Sequence, residues 1–223
     1  TLRCLYDTIL EKQERERLMK QQLRVSVPSF LSVFLVGLAV GCVCRLADYF
    51  PADTLWSFSS VQTLLGFWII TNTVIVLLSS SNLCAGVSSF LYMFGMTLSF
   101  YGLKAILGLL LPRFHGPFQT SLFLMFTILS VPCAIAAAIL YFWNRDHLFN
   151  SVLYALPVGA LLAEAVAIVL YPIAHQKFLF QLLMDIGGFL VFGGLFWRKV
   201  KSKPLYLLSV LLFAVIFYIT ACQ

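Results

Sequence analysis

The chain has 223 residues, of which 61% are hydrophobic and 11% charged, with a formal net charge of +6. Soluble domains carry about 25% charged residues, so this composition excludes an ordinary water-soluble fold. The positive balance does not indicate nucleic acid, because the basic residues gather in short segments that flank apolar runs, as cytoplasmic loops of membrane proteins do.

Several apolar runs reach the length of roughly 18 residues or more that reads as a membrane-spanning helix. They are continuous rather than alternating, which argues against a transmembrane barrel. The reading is an all-α polytopic transmembrane bundle of seven spans over residues 27–223. Residues 1–26 are expected to form a charged, short amphipathic helix on the cytoplasmic side.

Residues 2–24 hold six Lys and Arg against four acids, with Glu11/Arg15 and Glu16/Lys20 in the favourable i,i+4 order. This segment suits an interfacial helix or a contact for a protein partner. Interleaved acids speak against a nucleic-acid grip.

Span 1 is predicted over about residues 27–49, with Pro28 in its first turn. Gly37 and Gly41 match the small-xxx-small pattern that lets helices approach closely. Arg45 and Asp48 stand at i,i+3 near its end. Span 2 is predicted over about 54–78, with Ser59, Gln62, Gly66 and Thr73 on one stripe. Span 3 is expected over about 83–111, with Thr97, Tyr101 and Lys104 on one face. Span 4, about 118–143, carries Pro132 at its middle. Span 5, about 148–171, aligns Ala160, Glu164, Ala167 and Tyr171. Span 6, about 178–197, aligns Gln181, Asp185 and Gly188. Span 7 covers about 204–221.

Seven spans with a cytoplasmic N-terminus put eleven of the fifteen Lys and Arg on the inner side. With that orientation, Gln62, Lys104, Glu164 and Asp185 each fall roughly 10–12 Å below the outer surface at 1.5 Å per residue. A charge at the bilayer centre costs about 2.5–3.5 kcal/mol or more, so Glu164 and Asp185 are expected to face the bundle interior. The expected site is an outward-facing polar pocket of Glu164, Asp185, Lys104, Gln62 and Tyr101, bordered by Gln181 and Arg45. One lysine against two acids leaves surplus negative charge, which a bound cation or proton would balance. Alternatively, Lys104 pairs with one of the acids and only fixes helix packing.

Six cysteines at 4, 42, 44, 84, 133 and 222 form no CxxC pair, so neither a zinc site nor a disulfide framework is indicated. His115 and His175 are placed on one side and His147 on the other, which disfavours a three-histidine metal site. No HExxH, nucleophile elbow or phosphate-cradling glycine loop occurs. No cofactor is expected, and enzymatic activity is the weaker reading. The absence of an Asn-x-Ser/Thr acceptor favours a bacterial plasma membrane.

The series Gly37-Leu-Ala-Val-Gly41, Asp48-Tyr-Phe-Pro51, Leu55-Trp56, Gly66-Phe-Trp68, Ala85-Gly86 and Tyr101 resembles small uncharacterised bacterial polytopic proteins, over about the first half of the chain. That resemblance implies a helical membrane fold and no assigned activity. As a small bundle with an outward pocket, the chain is also similar to the substrate-capture subunits of energy-coupling-factor vitamin importers, which usually have six spans. Three functions follow from the sequence: binding or carriage of a small polar or cationic solute; a sensory or interaction module docking a partner on its basic segments; or an intramembrane hydrolase or transferase using the two acids.

Overall fold

The computed structural model describes residues 23–51, 54–61, 64–110, 118–144, 148–175 and 177–221. Among these, the helices are α1 (Val27–Ala47), α2 (Leu65–Leu78), α3 (Asn82–Leu110), α4 (Thr120–Leu140), α5 (Phe149–His175), α6 (Leu179–Trp197) and α7 (Lys203–Ala221). Short 3-10 turns occupy Phe58–Ser60 and Tyr141–Asn144. The expected N-terminal helix lies outside the described residues, apart from Leu23 onward.

Six of the helices are long and apolar enough to cross a membrane. The chain is a polytopic all-α membrane protein. The seventh, α2, departs from the expected span over 54–78. It has 14 residues and so extends only about 21 Å, short of the roughly 30 Å hydrocarbon core. Its helical ladder begins at Leu65, and the preceding residues run as turns and a 3-10 segment.

The helices group as α1, α3 and α4 on one side and α5, α6 and α7 on the other. The short α2 stands between the groups and touches α3, α4, α5 and α6. Burial follows this plan. The apolar windows of α3 and α5 are 61% and 67% buried, against 11–22% for the other four long helices, so α3 and α5 are the central members of the two groups. The outer helices turn large apolar residues such as Leu35, Ile128, Leu190 and Leu208 to the perimeter, where lipid is as good a solvent as protein.

Close contact between α1 and α3 depends on the Gly37–Gly41 pair. A Cβ on Gly37 would fall on the carbonyl oxygen of Tyr92, and one on Gly41 on the carbonyl oxygen of Met96 and on Ser99 Oγ. From the other side, a Cβ on Gly95 would come within 2.7 Å of the Phe34 carbonyl oxygen. Bare backbone on both helices replaces side-chain layers with direct van der Waals contact, the association available where lipid removes the hydrophobic drive. Around α5, a second core packs Trp143, Tyr154 and Phe196, with ring centroids 4.7–5.2 Å apart.

Candidate functional site

Leu64, at the N-cap of α2, has an apolar side chain and offers no cap to the first turn. The first backbone N–H groups of any helix need acceptors, and at membrane depth no solvent supplies them. Here the acceptor comes from α5. The Leu65 N–H donates to Glu164 Oε1 at 2.8 Å, and the Gly66 N–H points to the same carboxyl. Glu164 is thus a cap delivered from 99 residues away, at the end of the helix that favours negative charge.

Asp185 on α6 reaches the same turn. A Cβ on Gly66 would overlap Asp185 Oδ1 and lie 2.9 Å from Gln181 Nε2, so glycine is the residue that lets this carboxyl sit against the α2 backbone. One turn earlier on α6, Gln181 donates from Nε2 to Asp185 Oδ1 at 3.1 Å. The two carboxyls lie within each other's electrostatic field.

All three side chains are out of reach of solvent and lipid: Asp185 is 0%, Gln181 1% and Glu164 5% exposed. Each nevertheless keeps an oxygen without a hydrogen-bond partner, namely Glu164 Oε2, Gln181 Oε1 and Asp185 Oδ2. Buried polar atoms in native proteins are nearly always satisfied. Three orphan acceptors around one helix start, two of them carboxylate oxygens, form an acceptor-rich centre suited to a cation or a proton.

The segment before α2 is itself held in place. The Leu179 N–H donates to the Leu55 carbonyl at 2.9 Å and the Phe178 N–H to Ser57 Oγ at 3.4 Å. Residues 55–57 therefore cap α6, much as α5 caps α2. Phe178 takes a left-handed conformation with φ 67°, which a phenylalanine adopts only where surrounding contacts hold it. Asp185 lies six residues into α6, about 9 Å along its axis from Leu179.

The other residues expected at the site are placed as follows. Gln62 lies outside the described residues. Lys104 is partly exposed on α3 and makes no ion pair among the described residues. Tyr101 is buried in an aromatic cluster, with its ring 6.3 Å from Phe126 and 6.4 Å from Phe118 and Phe123. That cluster continues through Phe126 to Trp68, two residues past Gly66, so Tyr101 is linked to α2 through stacked rings. Arg45 bonds Asp48 and sits over the rings of Tyr49 and Phe100, so its charge is engaged at the end of α1. Gln181, expected only at the border, stands at the centre beside Asp185.

Two apolar cavities lie among the same helices, and neither is lined by Glu164, Gln181 or Asp185. One, of about 460 Å³, lies between α1, the 3-10 turn, α2 and α6, and reaches Phe67 and Met184, the neighbours of Gly66 and Asp185. The other, of about 370 Å³, lies between α2, α4 and α5 and reaches Leu65 and Ala160, one turn before Glu164. Among the described residues no group of three His, Cys, Asp or Glu is arranged to hold a metal. No family model, curated protein or solved structure matches the chain.

Proposed function

We propose that the protein binds, and carries across its membrane, a small cationic or polar solute, with Glu164 and Asp185 as the anionic groups and Gln181 as a neutral oxygen donor beside them. A single observation carries the reading: three buried oxygens from three side chains, two of them acidic, lack partners around the first turn of α2. A purely structural pair would be expected to bring a basic partner, and among the described residues no Lys or Arg ion pair involves either acid. Helices interrupted within the membrane, with irregular backbone lining a buried site, are how several transporters build a solute or ion site.

The orientation that suits this reading puts the N-terminus and the Arg198–Lys203 segment in the cytoplasm, because those segments hold most of the basic residues. The acids then lie nearer the outer face, and the cavity of about 460 Å³ beside Phe58 and Ala47 is the one on that side. The membrane proposed is a bacterial plasma membrane.

Equilibrium binding of a panel of amines, amino acids and monovalent cations to the purified protein in lipid nanodiscs tests the proposal. At least one class is expected to bind and to lose tenfold or more in affinity in Glu164→Gln and in Asp185→Asn. If both variants bind every member of the panel as the wild type does, the proposal fails.

A further inference from the structure

The first turn of α2 is crowded with hydrogen-bond acceptors. The Leu65 N–H goes to Glu164 Oε1, the Gly66 N–H points to the same carboxyl, and Gln181 Nε2 donates to Asp185 Oδ1. Glu164 Oε2, Gln181 Oε1 and Asp185 Oδ2 are left, all buried and without a hydrogen-bond partner. A carboxyl oxygen that carries a proton turns from acceptor into donor. One proton therefore satisfies two of these three oxygens at once: the one that carries it and the one that accepts it.

Among cations, a proton is also the one that needs no cavity. The three side chains are almost wholly buried, and none of them lines either cavity described above. A hard divalent cation takes about 6–8 oxygens, more than stand without a partner here.

The hydrogen bonds distinguish the two carboxyls. Glu164 faces backbone N–H groups at a helix N-terminus, a setting that holds a carboxylate. Asp185 has a neutral amide as its partner and the Glu164 carboxyl in its field, and two negative charges so placed repel. A carboxylic acid also matches an amide on both sides, donor to its C=O and acceptor from its N–H. Gln181, one turn away on α6, already gives its N–H to Asp185, and its Oε1 still lacks a donor.

The surrounding helices add little charge. Among the described residues, α2 and the segment before it carry no ionisable side chain, and α6 carries only Asp185. On α5 the ionisable residue nearest to Glu164 is Tyr171, seven residues on, about 10 Å along the axis. Lys177 stands two residues before α6. Helices α3 and α4 hold Cys84, Tyr92, Tyr101, Lys104 and Cys133. Lys104 is the one base of that set, and it makes no ion pair among the described residues.

We infer that the resident ion of this centre is a proton, carried on Asp185 Oδ2 and donated to Gln181 Oε1, with Glu164 as the neighbouring carboxylate. This rests on the reading of Glu164 and Asp185 as an ion site and names its ion. Uptake forms one O–H bond on Asp185 and cancels one of two buried negative charges. When the proton leaves to water, Asp185 regains the charge that a cationic solute balances.

Infrared spectra of the full chain in nanodiscs, at neutral pH and with no solute added, test the inference. The probe is the proton itself, seen as the C=O stretch of a protonated carboxyl, which moves in deuterium oxide. The wild type is expected to show this band, and Asp185→Asn, an amide of the same shape, to lose it. Gln181→Leu removes the acceptor of the proton and is expected to move the band to higher frequency. A wild-type spectrum without the band, or a band that survives in Asp185→Asn, overturns the inference. So does a band that Gln181→Leu leaves unmoved, and this variant decides if Asp185→Asn does not fold. A missing band removes the proton and leaves the cation reading to the solute panel. A band that behaves as expected, beside a panel that binds wild type and variants alike, keeps the proton and removes the solute.

Discussion

Glu164 is read here as the missing cap of α2, and that role makes a prediction separate from any ligand. In Glu164→Ala the Leu65 N–H loses the acceptor that now stands 2.8 Å away. A buried donor left without a partner costs about 1–3 kcal/mol, and loss of an N-cap about 0.5–2 kcal/mol; these describe the same bond and are not added. Removing the carboxyl also removes an oxygen, Oε2, that has no partner, which offsets part of the loss. A net destabilisation of about 2 kcal/mol is expected. Glu164→Gln keeps an acceptor oxygen at the same reach and is expected to cost under about 1 kcal/mol. Reversible unfolding by SDS in mixed micelles measures both, and amide exchange at Leu65 should quicken in the alanine variant alone. Equal stability of Glu164→Ala and Glu164→Gln, with unchanged exchange at Leu65, would refute the cap. The pair of variants also separates structure from binding, since the glutamine should fold and still lose the cation.

Three further substitutions probe other parts of the account. Gly41→Val drives a side chain into the Met96 carbonyl, which cannot swing aside as a side-chain end can; a cost above the roughly 1–3 kcal/mol of ordinary overpacking is expected, seen as loss of the monodisperse peak in size exclusion. Gly66→Ala should gain up to about 1 kcal/mol of helix propensity, yet its Cβ displaces the Asp185 carboxyl, so cation affinity should fall at least tenfold with no gain in stability. Lys104→Met removes a residue without an ion pair among the described residues, so stability should stay within about 0.5 kcal/mol and binding should be unchanged; a large effect on either would restore Lys104 to the site.

Much of this arrangement is legible in the sequence, for identifiable reasons. Hydropathy places the six long helices because a membrane demands length and carbon. Gly37 and Gly41 announce a close helix contact because only a missing side chain permits one, and their backbone neighbours on α3 are where the chain meets. Depth counting puts Glu164 and Asp185 at one level, and both meet the first turn of α2. Depth is an axial coordinate, however, and carries no angle around the bundle. Lys104 and Tyr101 share the expected level, yet the side chain of Tyr101 turns into the rings of Phe118, Phe123 and Phe126. The late start of α2 is signalled only by six polar residues among the eleven of 54–64, namely Thr54, Ser57, Ser59, Ser60, Gln62 and Thr63, which a helical polar stripe accommodates, and hydropathy does not register where the backbone finds its hydrogen bonds. The cap that makes this start tolerable comes from α5, far off in sequence, so no local signal at Leu64 could report it. Gly66 was the available hint, read as one member of a polar stripe when its use is to admit a carboxyl.

The claim on which the account turns is that Glu164 and Asp185 meet a cation at the start of α2. Infrared difference spectra, taken on adding tetramethylammonium to the protein in nanodiscs, observe the carboxyl groups themselves. The account predicts carboxyl bands that change on binding and that disappear in part in Glu164→Gln and in Asp185→Asn, each variant removing its own share. A difference spectrum that is the same in the wild type and both variants would contradict it.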